Sequence, residues 1–82
     1  MYKTTLTING MMCGMCEAHI NDAVRKSFDV KKVSSNHKKG ITEIVCEMQP
    51  DEQKLRDTIK QTGYELVRID SETYKKKGLF GR

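Results

Sequence analysis

Apolar and polar residues alternate along residues 4–9, where β-branched threonines flank Leu6 and Ile8. That spacing predicts a strand with those two side chains on one face. Gly10 breaks it and opens a loop. From about residue 16 to 28 the period changes. Cys16, Ile20, Ala23, Val24 and Ser27 fall at steps of four, seven, eight and eleven, one stripe of an α-helix. Glu17, Asn21, Asp22, Arg25 and Lys26 are left for water. Asp29 leads into a second strand over residues 30–37, and Lys38-Lys39-Gly40 is a hairpin signal. A third strand over residues 41–48 places Thr42, Ile44, Cys46 and Met48 on one face and Glu43 and Glu47 on the other.

Pro50 suits the first turn of a second helix, with Asp51 and Glu52 placed to favour its positive end. Leu55, Thr58, Ile59 and Thr62 form its thin stripe, and Gly63 is a good stop. Residues 65–69 make a last strand. The order βαββαβ, folded through two right-handed crossovers, gives an α+β, ferredoxin-like fold. It has a four-stranded antiparallel sheet with both helices on one face. At 82 residues the chain is expected to be one domain over residues 1–70 with a flexible basic tail over 71–82.

The net charge of +4 belongs mostly to that tail, where Lys75, Lys76, Lys77 and Arg82 face only Glu72. The rest is nearly neutral and shows no basic patch interleaved with aromatics, so nucleic acid is not an expected partner. No apolar run approaches the ~18 residues of a membrane span. A tail anchor built on Lys75, Lys76, Lys77, Leu79 and Phe80 is the alternative to a solvated tail, and such a short cluster holds lipid poorly.

The chemistry lies in Cys13-Gly14-Met15-Cys16, at the change from strand to helix. Two thiols at this spacing are close enough to hold one soft metal ion, and a helix N-terminus favours negative sulfur. Three cysteines cannot all pair within one chain. With no leader-like segment at the start, a reducing cytoplasm is the expected compartment, where such a pair binds metal or does redox work. A thioredoxin-like couple calls for a Trp before the motif and Gly-Pro within it, and the chain has no Trp. Cys46 reads as a small core residue on the third strand. Met12 and Met15 read as exposed lip residues, with a thioether ligand as the alternative. His19 reads as a half-buried helix histidine, with an auxiliary ligand as the alternative, and His37 as a cap on the hairpin. A zinc-stabilised module using Cys13, Cys16 and His19 predicts an unfolded metal-free state, whereas the two apolar stripes predict a folded one.

Gly10-Met11-Met12-Cys13-Gly14-Met15-Cys16, the helix with Ile20 and Val24 inward, and Thr62-Gly63-Tyr64 resemble the heavy-metal-associated domains of the copper-chaperone type. Such domains also form the N-terminal modules of metal-transporting P-type ATPases. The likeness spans residues 3 to about 70. It implies that Cys13 and Cys16 ligate a soft ion, most often Cu(I), and that Met11 packs under the loop without binding metal. It also implies that Tyr64 lies beside the metal. The chain departs from the family pattern at Met12, Met15, Ser35 and His37.

Cu(I) is a soft closed-shell ion that thiolates satisfy at low coordination number, leaving a side open to incoming sulfur. Zn²⁺ prefers four ligands. Relatives tuned to it often carry an acidic residue beside the cysteines, where this chain has Met12. Cu(I) is therefore the expected cargo, with Zn²⁺ and Hg²⁺ as alternatives. The resemblance implies a carrier and not an enzyme. It would deliver by thiolate exchange to the N-terminal domain of a copper-transporting P-type ATPase or to a copper-responsive repressor. A thiol–disulfide redox protein is the competing reading. The starting Met and short tail favour a free-standing chaperone over an excised module, as a monomer or as a metal-bridged dimer.

Overall fold

The alternation of the first strand decides the layout. In the computed structural model, which describes residues 1–73, β1 (Tyr2–Asn9) buries Thr4, Leu6 and Ile8 and turns the intervening residues outward. The elements that follow are α1 (Gly14–Ser27), β2 (Lys32–Asn36), β3 (Ile41–Cys46), α2 (Glu52–Thr62) and β4 (Glu65–Thr73). The strands pair antiparallel in the order β2-β3-β1-β4, so the first strand is central. This is the expected βαββαβ, ferredoxin-like arrangement.

One sheet face carries Leu6, Ile8, Val33, Ile44 and Cys46 into a single core with Ile20 and Val24 of α1 and Leu55 and Ile59 of α2. The helices pack against each other, α1 over β2 and α2 over β4. Full burial of each such aliphatic side chain contributes about 1.5–3 kcal/mol. Two of the three buried threonines are paired through their hydroxyls. Thr4 Oγ1 meets Ser71 Oγ at 3.0 Å, and Thr42 Oγ1 meets Ser35 Oγ at 2.8 Å. Ser35 Oγ also donates to Asn21 Oδ1 of α1 at 2.7 Å. Ser35, Thr42 and Asn21 thus form a small hydrogen-bonded cluster between β2, β3 and α1.

Several boundaries differ from those the sequence predicts. α1 begins two residues early because Cys13 takes the N-cap position in extended conformation. α2 begins at Glu52, with the Asp51 side chain accepting from Gln53 N at 3.1 Å, a cap worth about 1 kcal/mol. Pro50 therefore precedes the helix and does not open its first turn. β2 and β3 are shorter than expected, and Met48 is exposed beyond the end of β3. β4 is longer, pairing Ser71, Glu72 and Thr73 with Thr4, Lys3 and Tyr2. Those three residues belong to the sheet and not to the tail. The remainder of the expected tail, residues 74–82 with the Lys75–Phe80 anchor reading, lies outside the described residues.

A bulge in the β1–β4 ladder pairs Thr7 with Arg68 but Ile8 with Leu66, leaving Val67 as the extra residue. It lets both Leu66 and Ile69 pack on the core although they are three apart, and it leaves Val67 57% exposed. The β2–β3 turn is closed by Asn36. Its Oδ1 accepts from Lys38 N and Lys39 N, and its carbonyl accepts from Gly40 N. Gly40 then accepts from Ile8 N at 2.8 Å, which holds the turn against the end of β1 beside the cysteine loop.

Candidate metal centre

Two chain reversals meet at one end of the sheet. Gly10 leaves β1 with φ +101°, and a Cβ there would stand 3.3 Å from Cδ1 of Tyr64. Gly63 ends α2 in the left-handed region, φ +93°, and brings Tyr64 back toward the loop. The glycine at position 10 thus leaves room for the ring of the second reversal. Met11 follows and is buried, 6% exposed, against the core beneath the loop. Cys13 is exposed at the N-cap, and Cys16 sits half-buried in the first turn of α1. Their sulfurs lie 3.9 Å apart.

The surroundings of Cys16 favour its ionised form. The Tyr64 hydroxyl donates to its sulfur, and backbone N–H groups of Met12 and Cys13 add to that. Together they outweigh desolvation and bring the thiol from an ordinary 9.0 to about 7. The same hydrogen bond pushes the phenol of Tyr64 upward, because the proton it donates is held by a developing thiolate. The third cysteine shows the reverse. Cys46 is 4% exposed at the far end of β3, and burial, aided by Asp29, raises its thiol.

All three cysteines are free thiols. Among the described residues, no three His, Cys, Asp or Glu side chains converge as a metal cluster. His19 is exposed and not half-buried. With Met15, Cys16, Ala18, Asp22 and Tyr64 it lines a shallow hollow on the outer side of α1. Met12 and Met15 are 80% and 83% exposed.

The family model of the heavy-metal-associated domain matches residues 5–65, and that span contains the whole loop and Tyr64. The chain belongs to the heavy-metal-associated domain family. In fold, this heavy-metal-associated domain is similar to a CopZ metallochaperone, with 23% identity and a TM-score of 0.70. The match covers 79% of this chain and 98% of that one. A copper binding domain from HMA7, a P-type ATPase, matches at 20% identity and TM-score 0.72, over 85% of this chain and 99% of that one. The N-terminal domain of ZntA in its Zn(II) form matches at 18% identity and TM-score 0.71, over 80% and 89% respectively. No helix among the described residues is long and apolar enough to cross a membrane.

Two contacts in this heavy-metal-associated domain were not visible in its sequence. Glu17, expected to face water, accepts from His37 N at 2.8 Å and from His37 Nδ1 at 2.7 Å. His37 consequently bonds α1 and does not cap the hairpin, a task left to Asn36. The N–H groups of Met12 and Cys13 that reach Cys16 carry no side-chain signature. A loop closing on a helix N-terminus was the only cue to them.

Proposed function

We propose that this domain carries one Cu(I) ion between Cys13 and Cys16 and hands it to a partner by thiolate exchange. The observation that carries the reading is the pair of free sulfurs 3.9 Å apart, one exposed and the other acidified to about 7. The Tyr64 hydroxyl and the loop N–H groups hold Cys16 toward its thiolate, the form that binds metal. At a metal–sulfur bond of about 2.3 Å, the observed separation spans a bent two-sulfur bridge. A straight one requires the thiols to part by less than an ångström, which the exposed Cys13 side chain accommodates.

Ion choice follows from what surrounds the pair. With no third strong ligand converging among the described residues, the site suits an ion content with two thiolates. Zn²⁺ would need further ligands from a partner or from water, and Hg²⁺ shares the two-thiolate preference. Met12 and Met15 serve as auxiliary thioethers on the exposed lip, and His19 takes no ligand role. The exposed Cys13 is the point of entry for a partner's thiolate. That partner is the N-terminal domain of a copper-transporting P-type ATPase or a copper-responsive repressor. The setting is a reducing cytoplasm, and the carrier is a monomer. The closed apolar core, complete without metal, supports a domain that folds before loading.

The test is a Cu(I) titration of the reduced protein against a strong chelator. One ion per monomer is expected, lost in Cys13→Ser and in Cys16→Ser. Full retention by the double variant would falsify the proposal.

A further inference from the structure

Glu17 follows Cys16 directly, yet its carboxylate leaves α1. One oxygen, Oε2, accepts from both the backbone N–H and the ring Nδ1–H of His37. The pair is largely shielded, with side-chain exposures of 27% for Glu17 and 31% for His37. Hydrogen bonds to an ionised acceptor are among the stronger ones in proteins.

The start of α1 has few other ties. Cys13 makes no side-chain cap hydrogen bond, and a Cβ at Gly14 would meet nothing within 4 Å. Met12 and Met15 point into solvent. On the strand side of the loop, Met11 is sunk in the core. Besides the packing of Cys16 against the core and its contact with Tyr64, the Cys13–Cys16 segment is held by Met11 before it and Glu17 after it.

We infer that Glu17 is a positioning residue, which docks the first turn of α1 on the β2–β3 turn through His37 and so sets the spacing of the thiol pair. The molecule contains its own control. One turn further along the same helix face, Asn21 accepts from Ser35 Oγ at 2.7 Å and ties α1 to β2 away from the loop. Both contacts tie α1 to the β2–β3 hairpin, one at its turn and one on β2, but only the first borders the cysteines. The inference rests on the proposed metal reading for one of its two measurements.

The first measurement is the rate at which Cu(I)-loaded full-length protein surrenders its ion to excess chelator, beside the denaturant midpoint of each variant. Glu17→Ala is expected to release the ion about tenfold faster than wild type, the lower end of what loss of an outer support costs a metal site. His37→Ala should fall between the two, since the backbone N–H still reaches Glu17. Glu17→Gln, which keeps an accepting oxygen, should stay within about threefold of wild type. Asn21→Ala should lose comparable stability and release at the wild-type rate. Equal release from Glu17→Ala and Asn21→Ala overturns the inference, as does Glu17→Gln behaving like Glu17→Ala.

The second measurement is amide hydrogen exchange at residues 13–16 in reduced, metal-free protein. Exchange there should speed up in Glu17→Ala and His37→Ala but not in Asn21→Ala, and uniform acceleration in all three overturns the inference. If Glu17→Ala does not fold, His37→Ala carries both measurements, and its equality with wild type overturns it. Should wild type hold no Cu(I), the metal reading fails by itself while exchange still decides the role of Glu17.

Discussion

Cys16 and Cys46 lie at opposite ends of the same small sheet and differ in what touches their sulfur. Cys16 receives a phenolic hydroxyl and two backbone N–H groups, which bring it to about 7. Cys46 is enclosed at the end of β3, with Asp29 as the nearby charge, and its thiol is raised. Both fall on apolar positions of their elements, so residue type and periodicity do not separate them. What separates them is whether the chain delivers hydrogen-bond donors to the sulfur or only hydrocarbon. Gly10 and Gly63 bring donors to one end, and nothing comparable happens at the other.

Substituting the two thiols should produce the widest contrast. Cys16→Ala is expected to lose Cu(I) retention entirely. Cys46→Ala should keep one ion per monomer and lose about 1–2 kcal/mol of stability, read from denaturant midpoints of metal-free protein. Loss of copper by the Cys46 variant would remove the distinction.

Next in size is the contribution of Tyr64. Alkylation by iodoacetamide should titrate at Cys16 with a midpoint near pH 7 and leave Cys46 untouched in the native state. Tyr64→Phe removes the largest donor and should move that midpoint toward the ordinary 9.0, slowing the reaction several-fold at neutral pH. An unchanged midpoint would mean the backbone donors suffice.

The two thiols should also bend the pH profile of metal-free stability in opposite senses. Cys16 is lowered in the folded state, so between about 7 and 9.0 the unfolded chain holds more protons. Stability through this group is then fully present above 9.0 and is lost as pH falls through 7. Cys46 is raised, so its contribution is complete below 9.0 and declines as pH rises further, when the unfolded thiol ionises first. Cys16→Ser should abolish the lower slope and Cys46→Ser the upper one, measured by urea unfolding from pH 6 to 10.

Smallest is the effect of the lip. Met12→Leu with Met15→Leu retains apolar bulk and removes both thioethers. Cu(I) affinity should fall by no more than about threefold, the size of a weak, exposed contact. A hundredfold loss would promote these side chains to ligands.

The order of elements was legible because each carried its own period: two in β1 and β3, three to four in α1 and α2. Their ends were less so. Pro50 suits a first turn, but Asp51 accepts from Gln53 N as the N-cap and so fixes the start of α2 at Glu52, two residues past Pro50. Val67 interrupts a simple alternation, because a bulge is a property of two strands and not of one. The cysteine pair was legible from its spacing, and Tyr64 only through family resemblance. Glu17–His37 and Asn21–Ser35 were hidden, since each joins residues far apart in the chain that only the α1–β2 packing brings within reach.

Tyr2 pairs with Thr73 at the end of β1 remote from Gly10. Seven residues at about 3.3 Å each put that pairing roughly 23 Å from the turn into the cysteine loop. The outermost residues of that ladder, Tyr2 and Thr73, thus stand at the pole opposite the thiols. A purification handle or surface linkage placed ahead of Tyr2 starts from that opposite pole, a full strand length from the cysteine loop.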